Sequence, residues 1–245
     1  MKSDFFELYE VLAAGVDSGE TISGAVAGKY WTSVRTCSST GFAMTTPGDS
    51  IAPMFPDGVA GLSLREAGRA AASWNLTEAG FGLAAINAYY NTAERMERLQ
   101  SYEPFDNYST QGIDLRGRTV GIVGHMRGPK GLREQAKAVY VTERCPQPGD
   151  YPDAACDWIL PRCDLVLITG SSLVNKTLPH LLELCRDACT ILTGPSVPMC
   201  PALLDFGIDR LAGLVITEHE SADVHVRTGA AGHPYGLGRS FLLKK

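Results

Sequence analysis

Ionisable side chains follow two apolar segments in the C-terminal half of the chain. His125 comes directly after the apolar residues 119–124, and Glu143 and Asp150 follow the next apolar residues, 138–142. Imidazole and carboxylate groups can bind metal ions. These residues lack the spacing of a dedicated metal motif, and the chain contains no Cys-x-x-Cys pair. The pattern therefore indicates a polar site without naming its chemistry.

Two later segments add hydroxyl, amide and rigid backbone groups. Residues 169–177 read TGSSLVNKT, and residues 194–201 read GPSVPMCP. Capping of a following helix requires only one or two of these polar side chains, so their surplus favours a ligand-binding loop. The candidate residues in these two segments are Thr169, Gly170, Ser171, Asn175, Gly194 and Pro195.

Glycines at the first of these segments allow two interpretations. Gly121, Gly124 and Gly128 form a GxxGxxxG pattern, which lacks the closely spaced glycines of the GxGxxG dinucleotide fingerprint. A tight turn with free N–H groups would suit an anion, and Glu143 lies where related folds bind a ribose hydroxyl. An enzyme with a nucleotide-type cofactor, NAD(P) or S-adenosylmethionine, is therefore the alternative hypothesis. The glycines could equally serve strand-to-helix packing.

The elements around these residues alternate between strand and helix. Short apolar strands are predicted at 119–124, 138–142, 164–169, 189–193 and 211–217, with helices at about 129–137, 152–160, 177–187 and 200–206. Such alternation is typical of a parallel sheet that is covered on both faces. Ligands bind beyond the carboxyl ends of the strands in sheets of this kind. We therefore expect the polar segments to gather at one edge.

The first hundred residues have a different sequence pattern. A helix is predicted at 4–14, two or three strands between 21 and 46, a helix from the Ser63 capping box to about 73, and a long helix from Thr77 to Leu99. Asn87 lies within the long helix, where it either bonds to neighbouring backbone or faces a cleft. Residues 100–117 are polar and turn-rich, so we predict an α+β domain at 1–112 and a second domain at 113–245.

The composition of the chain argues against several classes of binding partner. The chain has 245 residues, a formal charge of -5 and a pI near 5.6, with no run of Lys and Arg, which argues against nucleic acid. The first residues do not resemble a secretion signal, and no apolar run is long enough for a membrane span. We therefore expect a cytoplasmic protein with no membrane partner and seven reduced cysteines. A homo-oligomer is compatible with the sequence.

Several of these segments resemble a known family. Residues 119–124, 143–150, 168–177 and 194–198, together with GLAAINA at 82–88 and the Ser/Gly/Thr-rich residues 38–47, are similar to the family named "putative heavy-metal chelation". The resemblance implies an enolase N-terminal-like domain followed by a Rossmann-like domain. It also implies a site between them, to which Asn87, His125, Glu143, Asp150, Thr169, Asn175 and Pro195 could contribute.

The sequence thus leads to one main hypothesis. The protein binds a small anionic or metal-bearing ligand in an interdomain cleft, and a transition-metal ion is the one cofactor considered besides a nucleotide. A non-catalytic partner in a larger metal-cofactor pathway is a third hypothesis. We predict that Asn87, Asp150 and Asn175 line one shared cavity, with His125 or Glu143 nearby. Whether the protein is an enzyme stays open at this stage.

Overall fold

The N-terminal part of the chain forms a small antiparallel sheet covered by helices. The computed structural model describes residues 6–99, 103–104, 110–126, 128–230, 232 and 234–245. Helix α1 (Glu7–Ala14) is followed by β1 (Gly24–Ala27), β2 (Trp31–Arg35) and β3 (Thr40–Met44), which pair in that order. The three strands confirm the α+β texture that was predicted for this part.

Three further α-helices follow, and the longest of them packs against this sheet. Helix α2 (Leu64–Gly68) begins at the predicted capping box, in which the Ser63 hydroxyl accepts from the Glu66 N–H and the Glu66 carboxylate accepts from the Ser63 N–H. The expected helix from Thr77 to Leu99 is two helices, α3 (Leu76–Tyr90) and α4 (Ala93–Arg98). The helix is interrupted at Asn91, because the Thr92 side chain accepts the N–H of Arg95 and so caps the start of α4.

The C-terminal part contains an eight-stranded sheet. Its strands are β4 (Glu103–Pro104), β5 (Thr119–Val123), β6 (Ala138–Glu143), β7 (Tyr151–Pro152), β8 (Leu165–Thr169), β9 (Cys189–Thr193), β10 (Arg210–Ile216) and β11 (Gly238–Lys244). Their order is β4-β11-β10-β9-β8-β5-β6-β7. The five predicted strands are mutually parallel, whereas β11 pairs antiparallel with β10. The predicted α/β class is therefore confirmed, and β4, β7 and β11 were not anticipated.

The connecting helices are shorter than predicted. They are α5 (Leu132–Gln135), α6 (Cys156–Ile159) and α8 (Leu178–Leu184), whereas α7 (Ser171–Val174) and α9 (His219–Arg227) were not predicted. The segment expected as a helix at 200–206 is a 3-10 helix, Pro201–Phe206. Pro201 in its first turn has no N–H to donate, and the turn ends at Gly207 in a left-handed conformation. None of the described helices has both the length and the apolar composition of a membrane-spanning segment.

The two parts share one hydrophobic core. Its buried side chains come from both, including Leu12 and Ile86 from the N-terminal helices and Ile168 and Leu211 from the large sheet. Strand β5 pairs with β6 and β8 rather than with the strands of the first sheet. Residues 100–102 and 105–109 of the expected linker lie outside the described residues, and β4 within it pairs with β11. The boundary at 112 stays a prediction.

Lys176 is a buried cation at the junction of the two parts. It is 3% exposed, and its ammonium donates to the carbonyl oxygens of Ala71 at 2.6 Å and Val174 at 3.2 Å. The same ammonium lies over the ring of Tyr9, 4.8 Å from the centroid. Desolvation by burial lowers the pKa of Lys176 from 10.5 to about 8.

The lowered pKa of Lys176 predicts how the stability of the protein depends on pH. Above about pH 8 the folded protein releases the Lys176 proton, whereas the unfolded chain keeps it until its ordinary pKa near 10.5. Because the unfolded state then binds more protons, this group makes the protein more stable as the pH rises. We expect the free energy of unfolding of the wild type, relative to Lys176→Met, to increase by about 1.4 kcal/mol between about pH 7 and pH 9.

Urea denaturation of both proteins at the two pH values measures this difference. Tyr9 and the cysteines titrate in both proteins, so their effects cancel in the subtraction. An unchanged difference would mean that the Lys176 ammonium is solvated in the folded protein.

Candidate functional site

The order of the strands creates a topological switch point at the carboxyl edge of the large sheet, where a crevice is expected. From β5 the chain continues to β6 and β7 on one side, and then returns to β8 on the other side of β5. The loops after β5 and β8 therefore diverge, which is the usual ligand position in open parallel sheets. Gly124, at the end of β5, has a φ of 101°, and a Cβ atom there would lie 2.9 Å from Cβ of Thr169. The ends of β5 and β8 thus pack closely, before the two loops diverge.

A hydrogen-bonded cluster of His125, Glu143 and Asp150 lies on the β5–β6 side of the crevice. The Glu143 carboxylate accepts the His125 backbone N–H at 2.7 Å, and its other oxygen accepts the N–H groups of Arg144 and Cys145. The Asp150 carboxylate lies 2.9 Å from Nδ1 of His125 and accepts the Gln147 N–H at 3.0 Å. Three residues that the sequence predicted as site residues are therefore held together.

Asp150 determines which imidazole nitrogen of His125 is available. Hydrogen bonds from the Gln147 N–H and from His125 keep the pKa of Asp150 below its ordinary value, so its carboxylate is charged and can only accept. Nδ1 must therefore carry a proton and donate to Asp150. The His125 side chain is 48% exposed, and its Nε2 has no partner among the described residues. The arrangement offers one oriented imidazole nitrogen that can accept a proton, or donate one when the ring is charged.

Several polar side chains of the loop after β8 form hydrogen bonds with other groups of the same loop. The hydroxyl groups of Thr169 and Ser171 are 3.1 Å apart, and the Ser172 hydroxyl donates to the Thr169 carbonyl oxygen. Asn175 accepts from both the N–H and the hydroxyl of Thr177. Some of the polar side chains that were predicted to bind a ligand thus form hydrogen bonds within the loop itself. Thr169 and Ser171 are both half-buried, and Thr169 lies beside Gly124.

The loop after β9 connects this edge to the N-terminal part. Gly170 donates to the Thr193 carbonyl oxygen, and Gly194, with a φ of 121°, donates to that of Ala212. Pro195 is buried. The neighbouring Ser196 accepts the Met44 N–H at 2.9 Å through its hydroxyl oxygen, which joins the end of β3 to this loop. The crevice therefore lies beside the junction between the two parts.

Asn87 and Asn91 have different positions in helix α3. Asn87 is fully buried and donates to the Phe42 carbonyl oxygen of β3 at 2.6 Å, while its own oxygen has no protein partner among the described residues. Asn91 reaches the large sheet instead: its amide donates to the Val197 and Leu214 carbonyl oxygens, and its oxygen accepts the Met199 N–H. No hydrogen bond in the described part of the chain joins Asn87 to Asp150 or Asn175, so their shared cavity stays a proposal.

Asn91, Ser196 and Lys176 were not selected from the sequence. Ser196 and Lys176 stand inside the two predicted loops, but nothing in their spacing shows that they contact the N-terminal part. Asn91 had one usable signal, because an Asn-Thr pair interrupts an otherwise helical pattern and Thr is a good N-cap residue. The helix break that this pair predicts lies where the N-terminal part meets the large sheet.

The geometry of the glycine-rich turn does not match a dinucleotide site. Gly121 lies within β5, where a Cβ atom would stand 3.0 Å from Leu160 and 3.1 Å from the sulfur of Cys163, so its role is packing. Helix α5 begins only at Leu132, well beyond Gly124, and spans four residues. A pyrophosphate at this turn would lack the adjoining helix N-terminus that such sites use. Glu143 is occupied by three N–H groups.

Protein side chains alone do not form a metal cage in the described part of the chain. No three His, Cys, Asp or Glu side chains lie close enough together there to hold an ion. Burial raises the pKa of Cys163 to about 11 and that of Cys185 to about 12, which disfavours the thiolate that binds metals. A hydrogen bond to Glu20 likewise raises the pKa of the exposed Cys37. A heavy metal held directly by the protein does not fit these residues.

Comparison with known families adds the decisive observation about ancestry. Residues 110–240 match the model of DUF364, and residues 9–90 match that of DUF4213, both described as "putative heavy-metal chelation". The chain belongs to this family. The two matched regions correspond to the sheet of β5–β11 and to the helices and strands of the N-terminal part. The resemblance inferred from the sequence is thereby confirmed.

Solved structures show the same fold over nearly the whole chain. A DUF364 protein of unknown function from Desulfitobacterium hafniense is 33% identical, with a TM-score of 0.85 and 98% of each chain covered. A second, from Pyrococcus horikoshii, is 23% identical, with a TM-score of 0.80 and coverage of 99% of this chain and 100% of that one. An uncharacterized protein of Methanocaldococcus jannaschii is 28% identical over 181 residues, which span 70% of this chain and 68% of its own length.

Proposed function

We propose that the protein binds a small anion, either free or carrying its own metal ion, in the crevice between the loops after β5 and β8. The observation that carries this proposal is the His125–Asp150 pair, which presents one oriented imidazole nitrogen beside the switch point of the sheet. The family description supports a metal-bearing ligand. The lack of a protein metal cage among the described residues supports a metal that arrives already chelated.

The charges around the crevice are compatible with an anion. The nearby carboxylates of Glu143 and Asp150 already accept N–H groups and the imidazole, so their charge is partly compensated. Protonation of His125 would add a cation that a bound anion stabilises. The residues proposed for the site are Gly124, His125, Glu143, Asp150, Thr169, Gly170, Ser171, Asn175, Gly194 and Pro195, with Asn87 from the N-terminal part.

Titration with defined probes tests the proposal. We would measure binding of citrate, of nickel citrate and of free Ni²⁺ by calorimetry, with NAD and S-adenosylmethionine as cofactor arms. We expect one or both citrate-containing probes to bind and free Ni²⁺ to bind weakly. His125→Ala should weaken that binding about tenfold or more, because a charge-assisted hydrogen bond is lost. Asp150→Asn should weaken it too, since the neutral amide no longer stabilises the positive charge of a protonated His125 that pairs with the anion.

The chain supplies a matched control. His180 pairs with Asp157 at 3.0 Å and is 54% exposed, so it resembles His125 in geometry but stands at the start of a different helix, α8. His180→Ala should leave binding unchanged. Equal losses in His125→Ala and His180→Ala would contradict the site, and tight binding of NAD that is lost in Glu143→Ala would favour the nucleotide hypothesis instead.

A further inference from the structure

A polar cavity lies between the small sheet and helix α9. Its volume is about 380 Å³, and it is lined by Ser23, Arg35, Thr36 and Cys37 from the N-terminal part and by Asp223 and Arg227 from α9. None of these residues belongs to the crevice at the carboxyl edge of the large sheet. The cavity is therefore a separate feature, and a ligand bound in it would be independent of one bound in the crevice.

The local folding of both elements directs the two arginines to this cavity. Side chains alternate between the faces of a strand, so Arg35 shares a face of β2 with Trp31. That face packs on α9, because Trp31 forms a cluster with Ala222 and Val226 of the helix. Asp223 and Arg227 are one helical turn apart on the adjoining stripe of α9. The packing of Trp31 thus brings Arg35 of β2 and Arg227 of α9 into the lining of one cavity.

The cavity has more positive charge than its own acids compensate. The Arg227 Nε–H donates to the Asp223 carboxylate at 2.8 Å, which leaves the terminal nitrogens of the guanidinium available. The half-buried Arg35 guanidinium has no ion-pair or hydrogen-bond partner in the described part of the chain. Glu20, next to Cys37, is engaged by the Cys37 thiol and by the N–H and hydroxyl of Ser38. A partly buried arginine without a partner is costly unless a ligand or solvent pairs with it.

We propose that Arg35 and Arg227 form a binding site for an oxyanion, the phosphate or carboxylate group of a small molecule. A guanidinium presents N–H donors in a planar fork that matches two oxygen atoms, and two such groups across a cavity can hold one oxyanion from both sides. The hydroxyl groups of Ser23 and Thr36 lie in the same lining and supply further polar contacts. Because its walls come from both parts of the chain, an occupied site would join β2 to α9.

The experiment monitors the arginine side chains directly. We would titrate the protein with inorganic phosphate, glycerol phosphate and malonate at constant ionic strength, and record arginine Nε–H signals by NMR. We expect saturable shifts at Arg35 and Arg227 up to about 10 mM ligand. The phosphate and malonate arms distinguish a phosphate from a carboxylate ligand. No saturable shift at either arginine with any of the three probes would overturn the proposal.

Three variants separate a binding role from a structural one. Arg35→Met keeps the aliphatic stem and should weaken binding about tenfold. Asp223→Asn removes the competing negative charge and should strengthen binding about fivefold, which a merely structural role would not produce. Arg186→Met, which changes an exposed arginine after helix α8, should have no effect. Unchanged affinity in Arg35→Met, or weaker binding in Asp223→Asn, would contradict the site.

Discussion

Replacing Asn91 by alanine is expected to lower the free energy of unfolding by about 3 kcal/mol or more, because three buried backbone groups lose their partner at once. Those groups are the carbonyl oxygens of Val197 and Leu214 and the N–H of Met199. Asn91 is only 3% exposed, so water cannot readily replace its amide. Thermal unfolding should show a melting temperature lower by roughly 10 °C for a chain of this length.

Asn87→Ala provides the comparison for this prediction. Asn87 is equally buried in the same helix, but it makes one hydrogen bond to the described part of the protein, and its oxygen has no partner there. We therefore expect a smaller loss, about 1–2 kcal/mol. Similar losses in the two variants would mean that removing any buried amide from α3 lowers the stability by this amount. The contacts of Asn91 with the 194–201 loop would then add no stability of their own.

Asn91 also shows why part of the architecture could not be predicted from the sequence. Period-based patterns locate strands and helices well, and all five predicted parallel strands are present. The Asn91-Thr92 pair marks where the helix can end, but the neighbouring sequence does not show that Asn91 bonds to residues more than a hundred positions away. Contacts of that range have no local signature.

The candidate site was predictable to a similar extent. Strand ends and parallel pairing were enough to place Gly124, Glu143 and Thr169 at one edge of the sheet. The pairing of His125 with Asp150 was not predictable, because it depends on how the proline-rich loop after β6 folds back over 25 positions. Asn175 stays a proposed site residue, although its side-chain oxygen accepts two hydrogen bonds from Thr177 within the loop.

The second large effect is expected from Gly41, where helix α3 meets strand β3 with no space between their backbones. A Cβ atom on Gly41 would lie 2.0 Å from the Ala84 carbonyl oxygen and 2.2 Å from the Ala88 nitrogen. Backbone atoms of a helix cannot move aside individually, so Gly41→Ala must displace α3 as a whole. We expect a loss of about 3 kcal/mol or more, measured by urea denaturation.

Gly24→Ala is the matched control, because Gly24 also lies in a strand of the small sheet, and a Cβ atom added there would meet no atom within 4 Å. That variant should be neutral or slightly stabilising, by about 0.5 kcal/mol, since alanine restricts the unfolded chain. If Gly41→Ala were equally neutral, the close approach of α3 to β3 would be wrong. A displaced α3 would also carry Asn91 away from Val197 and Met199, so combining Gly41→Ala with Asn91→Ala should cost less than the sum of the two single losses.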